Sequence, residues 1–465
     1  MITALVFAAL QQVPPPRPSV PDPGVIATDQ QVTPAGVQTV FEGRVSAVRF
    51  GSGANELWVA VPGRAYRLDW RAGSVLAEAP FDGTPGVHGL AVDPLTRRVV
   101  VSSVGRLPET VATNRTPGAP TPVDARVTAQ VTAFDGATPG EGLSPAFSSG
   151  PLGSYMAGGP AVARRANASG RRIAVVPLPA DDKVAVLDAD SGGLLHLVDA
   201  GVLPVDAVVS DDGSEAWFTN FGGPRPTSRD RAARQCCDPM AEEVRVDDRG
   251  IAADGTVSRL DPVTGRVTAT VEVGRHASGV AWDTARARLY VADGNSDAVS
   301  IVDTRAGRRV ATLRVAPFAE SGVGLAPTAV ALSPDGATLY VALGGANAVA
   351  VYDVSGAAGA GALKGLIPTG WYPSSLDVSP DGSTLAVGTL LGVGSGEGET
   401  SGSPGLRGRY VHAVRGSVNV VPVPTESELA AYTTSVARND RLTLARRGGP
   451  ASMEPRAGVP ARAVP

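Results

Sequence analysis

This 465-residue sequence predicts an all-β fold: a seven-bladed β-propeller closed by an N-terminal strand, with a short C-terminal helix and a disordered tail. Three observations carry the prediction. The first is the stretch from Ala326 to Leu390, which holds two neighbouring copies of one pattern, PTAVALSPDGATLYVALGGANAVAVYDV and PSSLDVSPDGSTLAVGTL. Each copy starts at a proline (Pro327, Pro373), alternates apolar and small residues, turns at Ser-Pro-Asp-Gly and alternates again. Alternation of period two marks strands with one buried face. The turn has a mechanism of its own: Pro presets φ at the first corner, Asp bonds its own backbone, and Gly accepts positive φ. Pro334-Asp335-Gly336 and Pro380-Asp381-Gly382 therefore each close a β-hairpin.

The second observation is recurrence. Further copies begin at Val45, Val87, Pro160, Pro204 and Ala277. Anchored on the fourth residue, the units align at Val48, Leu90, Ala163, Ala207, Val280, Val330 and Leu376, in steps of 42, 73, 44, 73, 50 and 46 residues. Four steps lie near the about 40–45 residues of a four-stranded propeller blade, and two carry insertions of about 30 residues more. The third observation concerns the ends of the ring. Leu194–Gly201, Arg266–Gly274 and Arg308–Val315 fill the outer-strand place of their units, but the last unit has only a third strand, Gly416–Val423. Gly36–Gly43 carries the right pattern, so it is expected to cross back and complete the last blade, leaving no long free edge.

In chain order, Met1–Val13 contains an apolar run, Ile2–Leu10, too short to span a bilayer. It is a candidate signal segment, although no Lys or Arg precedes it. Residues 14–33 are Pro-rich and read as an extended linker. The propeller occupies residues 34–424. Its first insertion, Gly105–Ala129, is rich in Pro and Thr and reads as a solvated loop or a lid. The second, Gly222–Asp254, holds both cysteines, Cys236 and Cys237. Adjacent Cα atoms lie about 3.8 Å apart, below the usual disulfide range, and no CxxC or flanking His supports a metal. They are expected to be chemically idle. Residues 425–440 have helical spacing, with Leu429, Tyr432 and Val436 on one side, Thr425 as N-cap and Glu428 three residues on. Residues 441–465 are Pro/Ala/Arg/Gly-rich and read as a disordered, linker-like tail.

Composition narrows the function classes. A net charge of −4 supplies no basic stripe for nucleic acid. The four histidines form no cluster, and no G-x-S-x-G elbow, HExxH or P-loop occurs. Recurrent aspartates such as Asp188, Asp303 and Asp353 belong to the turns. No catalytic residue, no metal ligand and no cofactor is therefore assigned. Binding is expected at the funnel face, where blade-to-blade connections meet the loops between second and third strands. The alignment puts Arg44, Gly86, Gly159, Leu203, His276, Ala326 and Tyr372 around that mouth, with Trp371 beside Tyr372. Asn220, Asn295 and Asn347 come from the second-to-third loops. The binding candidates are Arg44, Asn220, His276, Asn295, Asn347, Trp371 and Tyr372. The competing role for such residues, asparagines above all, is to satisfy backbone groups at strand ends. His88 and His196 fall on strands away from the mouth, and His412 in a late loop.

RLYVADGNSDAVSIVDTRAGRRVATLRV (Arg288–Val315) resembles the YVTN β-propeller repeat in its YncE-like branch, with Tyr290-Val291-Ala292-Asp293 in place of the name-giving tetrapeptide. A narrower resemblance covers Thr219–Ala437. TNFGGPRP, RGIAADGTVSRLDPVTGRVTATVEVGRHASG, GLIPTGWYPSSLDVSPDG and GSVNVVPVPTESELAAYTTSVARN are similar, in that order, to bacterial proteins in which a propeller precedes a metal-dependent phosphoesterase domain. This implies a non-catalytic, extracytoplasmic propeller, periplasmic or secreted, that binds a ligand or protein partner through its funnel face. The implied partner is a phosphoesterase domain or protein. The sequence past the helix holds no metal-binding Asp/His set, so that activity is carried to no residue here. The alternatives are a propeller hydrolase of lactonase type and a cytoplasmic location.

Overall fold

The structure is a computed structural model that describes residues 26, 28, 30–106, 127–135, 143–234, 243–320, 324–356, 361–399 and 407–445. The signal candidate Met1–Val13, most of the Pro-rich linker, the centre of the first insertion, Cys236, Cys237 and the tail past residue 445 lie outside the described residues. Among the described residues, seven four-stranded antiparallel sheets form, together with one two-stranded ribbon.

The inner strands of blades 1 to 7 are Ala47–Phe50, Thr84–Val92, Ala161–Val162, Val202–Val209, Ala277–Asp283, Pro327–Leu332 and Trp371–Val378. The outer strands of blades 1 to 6 are Ser74–Pro80, Pro145–Ser148, Leu194–Asp199, Arg266–Val273, Arg308–Arg314 and Ala362–Pro368. Blade 7 takes its outer strand from the start of the chain. Val37–Val40 pairs antiparallel with the third strand, matching Val37 to Val420 and Val40 to Ser417. The ring is thus closed as expected, by backbone bonds between segments far apart in sequence.

The hairpin turns follow their chemistry. Gly336 sits at φ +66°, its N–H donates to Ser333 O at 2.8 Å, and Asp335 Oδ1 accepts the Ala337 N–H at 2.9 Å. The Ser379–Ser383 turn repeats this arrangement, and the Ser379 hydroxyl with the Ser383 donors holds the Asp381 carboxyl down at about 2. Alternation then delivers each sheet's apolar residues to its neighbours. Val48, Val59 and Leu57 of blade 1 pack against Ala386, Val418 and Val420 of blade 7. Trp217 and Val257 of blade 4 meet Val280, Leu289 and Val291 of blade 5. Each such buried side chain contributes about 1.5–3 kcal/mol, so the core is a series of inter-blade seams.

Two features exceed the sequence expectation. The second and third strands of blade 7 run on as Thr384–Glu399 and Arg407–Pro422, well past the expected Leu390 and Gly416 limits. Within the second insertion, Ala232–Arg234 pairs with Glu243–Arg245 as a small ribbon. Helix α1 (Glu426–Asp440) begins with a complete capping box between Thr425 and Glu428. It buries Leu429 and Val436, and its Thr433 Oγ accepts the Leu366 N–H of the blade 6 outer strand at 2.8 Å. Among the described residues, no helix is long and apolar enough to cross a membrane.

Candidate functional site

The funnel face is built by a repeated backbone device. Leu203, His276, Ala326 and Tyr372, each at the entry to an inner strand, have φ between +48° and +60°. A left-handed residue turns the chain sharply into the channel and leaves its N–H facing the preceding blade. In three cases a side chain of that blade receives it. Leu203 N–H donates to Asp182 at 2.8 Å, Ala326 N–H to Asp297 at 3.0 Å, and Tyr372 N–H to Asn347 at 3.0 Å. Asp182, Asp297 and Asn347 close short 3-10 turns after second strands and are themselves left-handed, a conformation that Asn and Asp adopt more readily than other side chains.

Two of the seven binding candidates are committed to the scaffold, Asn347 through this device and Asn220 within the second strand of blade 4. Asn347 is buried and serves as a blade-to-blade cap. Asn220 is fully buried, its oxygen accepting the Gly201 N–H and its amide donating to the Thr256 and Ser258 hydroxyls. Arg44 is exposed and Trp371 is half-buried, and neither is among the residues that line the funnel. The His276 ring stacks on Phe221, with centroids 4.0 Å apart and planes at 18°. Its imidazole is pushed below the usual histidine range by burial, against a hydrogen bond from Asn295. Phe221 is among the residues that line the funnel and half-buried His276 is not. Asn295 lines a separate side cleft of about 700 Å³ that also holds Arg249, Arg275 and Arg314. Of the seven, Tyr372 lines the funnel itself.

The funnel is a cavity of about 700 Å³ at the centre of this face, with walls from blades 2 to 7. Val87, Val104, Leu203, Val205, Phe221 and Leu390 make most of it apolar. Its polar side chains are those of Thr84, Ser278, Thr328 and Ser374, of Tyr155 and Tyr372, and one imidazole, that of His88. Regular alternation along the inner strand of blade 2 would place His88 away from the mouth. The pairing with the second strand in fact shifts register between Pro85 and Leu90, and His88 itself has φ +59°. His88 lies two residues before the anchor Leu90, the place that Ser278, Thr328 and Ser374 hold in blades 5 to 7, and all four line the cavity. The run VHGLAVDP carried one available signal: a Gly-flanked, non-β-branched residue interrupting the alternation.

Burial is the largest influence on His88 and pushes its pKa below the usual range; the Asp206 carboxylate works to raise it, Arg49 to lower it, and the Thr328 backbone to raise it. Blade 2 thus meets blade 6 across the axis. The surrounding charges are turned into the scaffold. Asp206 accepts the N–H groups of Ala207 and Val280, both at 3.1 Å. Arg49 donates to the carbonyls of Val48 and Leu376, and Asp377 accepts the Phe50 N–H at 2.7 Å. Burial raises the Asp377 carboxyl, against Arg49 and two backbone N–H groups. Among the described residues no three His, Cys, Asp or Glu side chains converge in a way that could hold a metal ion. The site can therefore enclose an apolar body and offer it hydroxyls and a neutral imidazole.

Residues 254–389 match a family model described as "Lactonase, 7-bladed beta-propeller". The match runs from the third strand of blade 4 to the second strand of blade 7 and agrees with the ring of seven. No curated protein matches the chain. Fold and funnel together define a seven-bladed β-propeller, similar over that stretch to the lactonase propellers.

Proposed function

We propose that this protein is a binding propeller, taking a small organic ligand of largely apolar body into the funnel without turning it over. The observation that carries the reading is a cavity of about 700 Å³ whose lining includes no Asp, Glu, Lys or Arg. Such a lining favours burial of apolar surface with a few oriented polar contacts. Isothermal titration with small aromatic hydrocarbons and ketones tests it. Saturable binding is expected for the wild type and loss of binding for Val87→Trp, which adds bulk at an exposed rim position. Heat signals that never saturate, or equal binding by Val87→Trp, overturn the reading.

A second reading, hydrolysis of a cyclic ester, is favoured by the partial family match and by one specific observation. His88 is buried in the cavity with its pKa held low, so at neutral pH it has a free lone pair and could act as a general base toward water. Lactone hydrolysis lost in His88→Gln would replace the binding reading. The proposal also includes export to the periplasm or beyond and a phosphoesterase partner. Both rest on the YVTN-type repeat and the four ordered segments between Thr219 and Ala437. Cell fractionation and co-purification with a phosphoesterase test them.

A further inference from the structure

Around the funnel, neighbouring blades are joined through hydroxyls. Thr219 Oγ of blade 4 donates to Ser278 O of blade 5 at 2.7 Å. Ser278 Oγ donates to Thr328 O of blade 6 at 3.0 Å, and Thr328 Oγ to Pro373 O of blade 7 at 2.7 Å. Each bond steps one blade further round the ring. The next hydroxyl in the series is Ser374, and there the relay stops. Ser374 is 2% exposed, lines the funnel, and its Oγ has no hydrogen-bond partner within the protein. At this seam the adjacent Ser375 does the joining instead, its Oγ accepting the Val48 N–H of blade 1 at 3.0 Å.

A buried hydroxyl left unpaired carries a desolvation penalty that its apolar isostere would not. It persists in a position where a ligand in the cavity could satisfy it. The rest of the cavity tells what that ligand is. No charged side chain lines it, and the nearby Asp206, Arg49 and Asp377 are bonded to backbone groups. A carboxylate or ammonium entering the funnel would lose its hydration and find no opposite charge turned toward it. A carbonyl oxygen needs only a donor, and Ser374 Oγ is one.

Building on the funnel-binding reading, we infer that Ser374 is the specificity-determining contact of the site. Its hydroxyl donates to the carbonyl oxygen of an uncharged ligand, a ketone, amide or ester end on an apolar body, and the site rejects the corresponding acid. The test titrates the full chain with three probes of one skeleton: benzylacetone, butylbenzene and hydrocinnamate. Benzylacetone should bind most tightly and hydrocinnamate at least about tenfold more weakly. Ser374→Ala should weaken benzylacetone about tenfold and leave butylbenzene unchanged. The same substitution should raise the melting temperature, by about 1–2 °C, because an unpaired buried hydroxyl has been removed. If butylbenzene binds but benzylacetone is no tighter, or is unaffected by Ser374→Ala, this inference falls while the funnel reading stands. A fall in melting temperature would make Ser374 a structural hydroxyl and also overturn it. If none of the three binds, both fall together.

Discussion

The inner strands of blades 6 and 2 both slip in register, by one residue in blade 6 and by three in blade 2, and they put different chemistry on the funnel wall. In blade 6, Pro327–Leu332 slips by one residue between Pro327 and Ala329: Ala329 is buried in the core, and the Thr328 hydroxyl, on the funnel wall, is engaged with blade 7. In blade 2, Thr84–Val92 loses register between Pro85 and Leu90, and His88 turns into the funnel. Gly89, the counterpart of Ala329, sits where a Cβ would lie 2.6 Å from both the N and the O of Gly86. The blade with the smaller slip joins its neighbour through a hydroxyl. The one with the larger slip supplies the cavity with its imidazole, and local departures of this kind are common at functional sites.

The sharpest way to break this contrast is at the paired inner-strand positions. Gly89→Ala should cost about 3 kcal/mol by forcing backbone apart. Ala329→Gly, the reverse change in blade 6, should cost only about 1 kcal/mol. Chemical denaturation of both variants measures the difference, and equal costs would mean that the bulge is not under steric constraint.

A second contrast pairs Asp293 with Leu343, which end the second strands of blades 5 and 6. Leu343 packs in the core, whereas Asp293 is fully buried and its Oδ1 has no partner. Burial lifts the Asp293 carboxyl from 3.8 to about 7, opposed by the Ser300 hydroxyl and the Gly274 N–H. The folded state therefore holds a proton that the unfolded chain releases. The associated stability is present below about pH 4 and lost as pH rises through about 7. Asp293→Asn should raise stability by on the order of 2 kcal/mol at about pH 8 and much less at about pH 5. Thermal melts at the two pH values check the sign.

The smallest effect belongs to the hydroxyl relay. Thr328→Val removes the bond to Pro373 O and should cost about 1 kcal/mol. Ser374→Ala, one blade on, should shift stability the other way. Two substitutions that delete a hydroxyl from equivalent positions and move the melting point in opposite directions would establish the break in the relay.

Much of the ring was legible before any coordinates. The Ser-Pro-Asp-Gly turns, the seven anchors, the helix with its Thr425 cap and the return of Gly36–Gly43 all stand in the structure. Each depends on chemistry within a few residues or on a pattern that repeats. The site was less legible. Asn347 lies at a second-to-third connection, whereas Asn220 lies within the second strand of blade 4, and the side chains of both are taken up by backbone and hydroxyl groups. His276 stacks on Phe221, which lines the funnel, whereas His88 lines it from the place two residues before the anchor that Ser278, Thr328 and Ser374 share.

Strand number, turn positions and ring closure were written in the order of residues, because alternation and turn chemistry act locally and recur with each blade. Which side chains meet at the axis was settled by the folded ring alone. His88, Thr328 and Ser374 come from blades far apart in the chain, and whether each is bonded, screened or left open depends on where its neighbours across the channel fall.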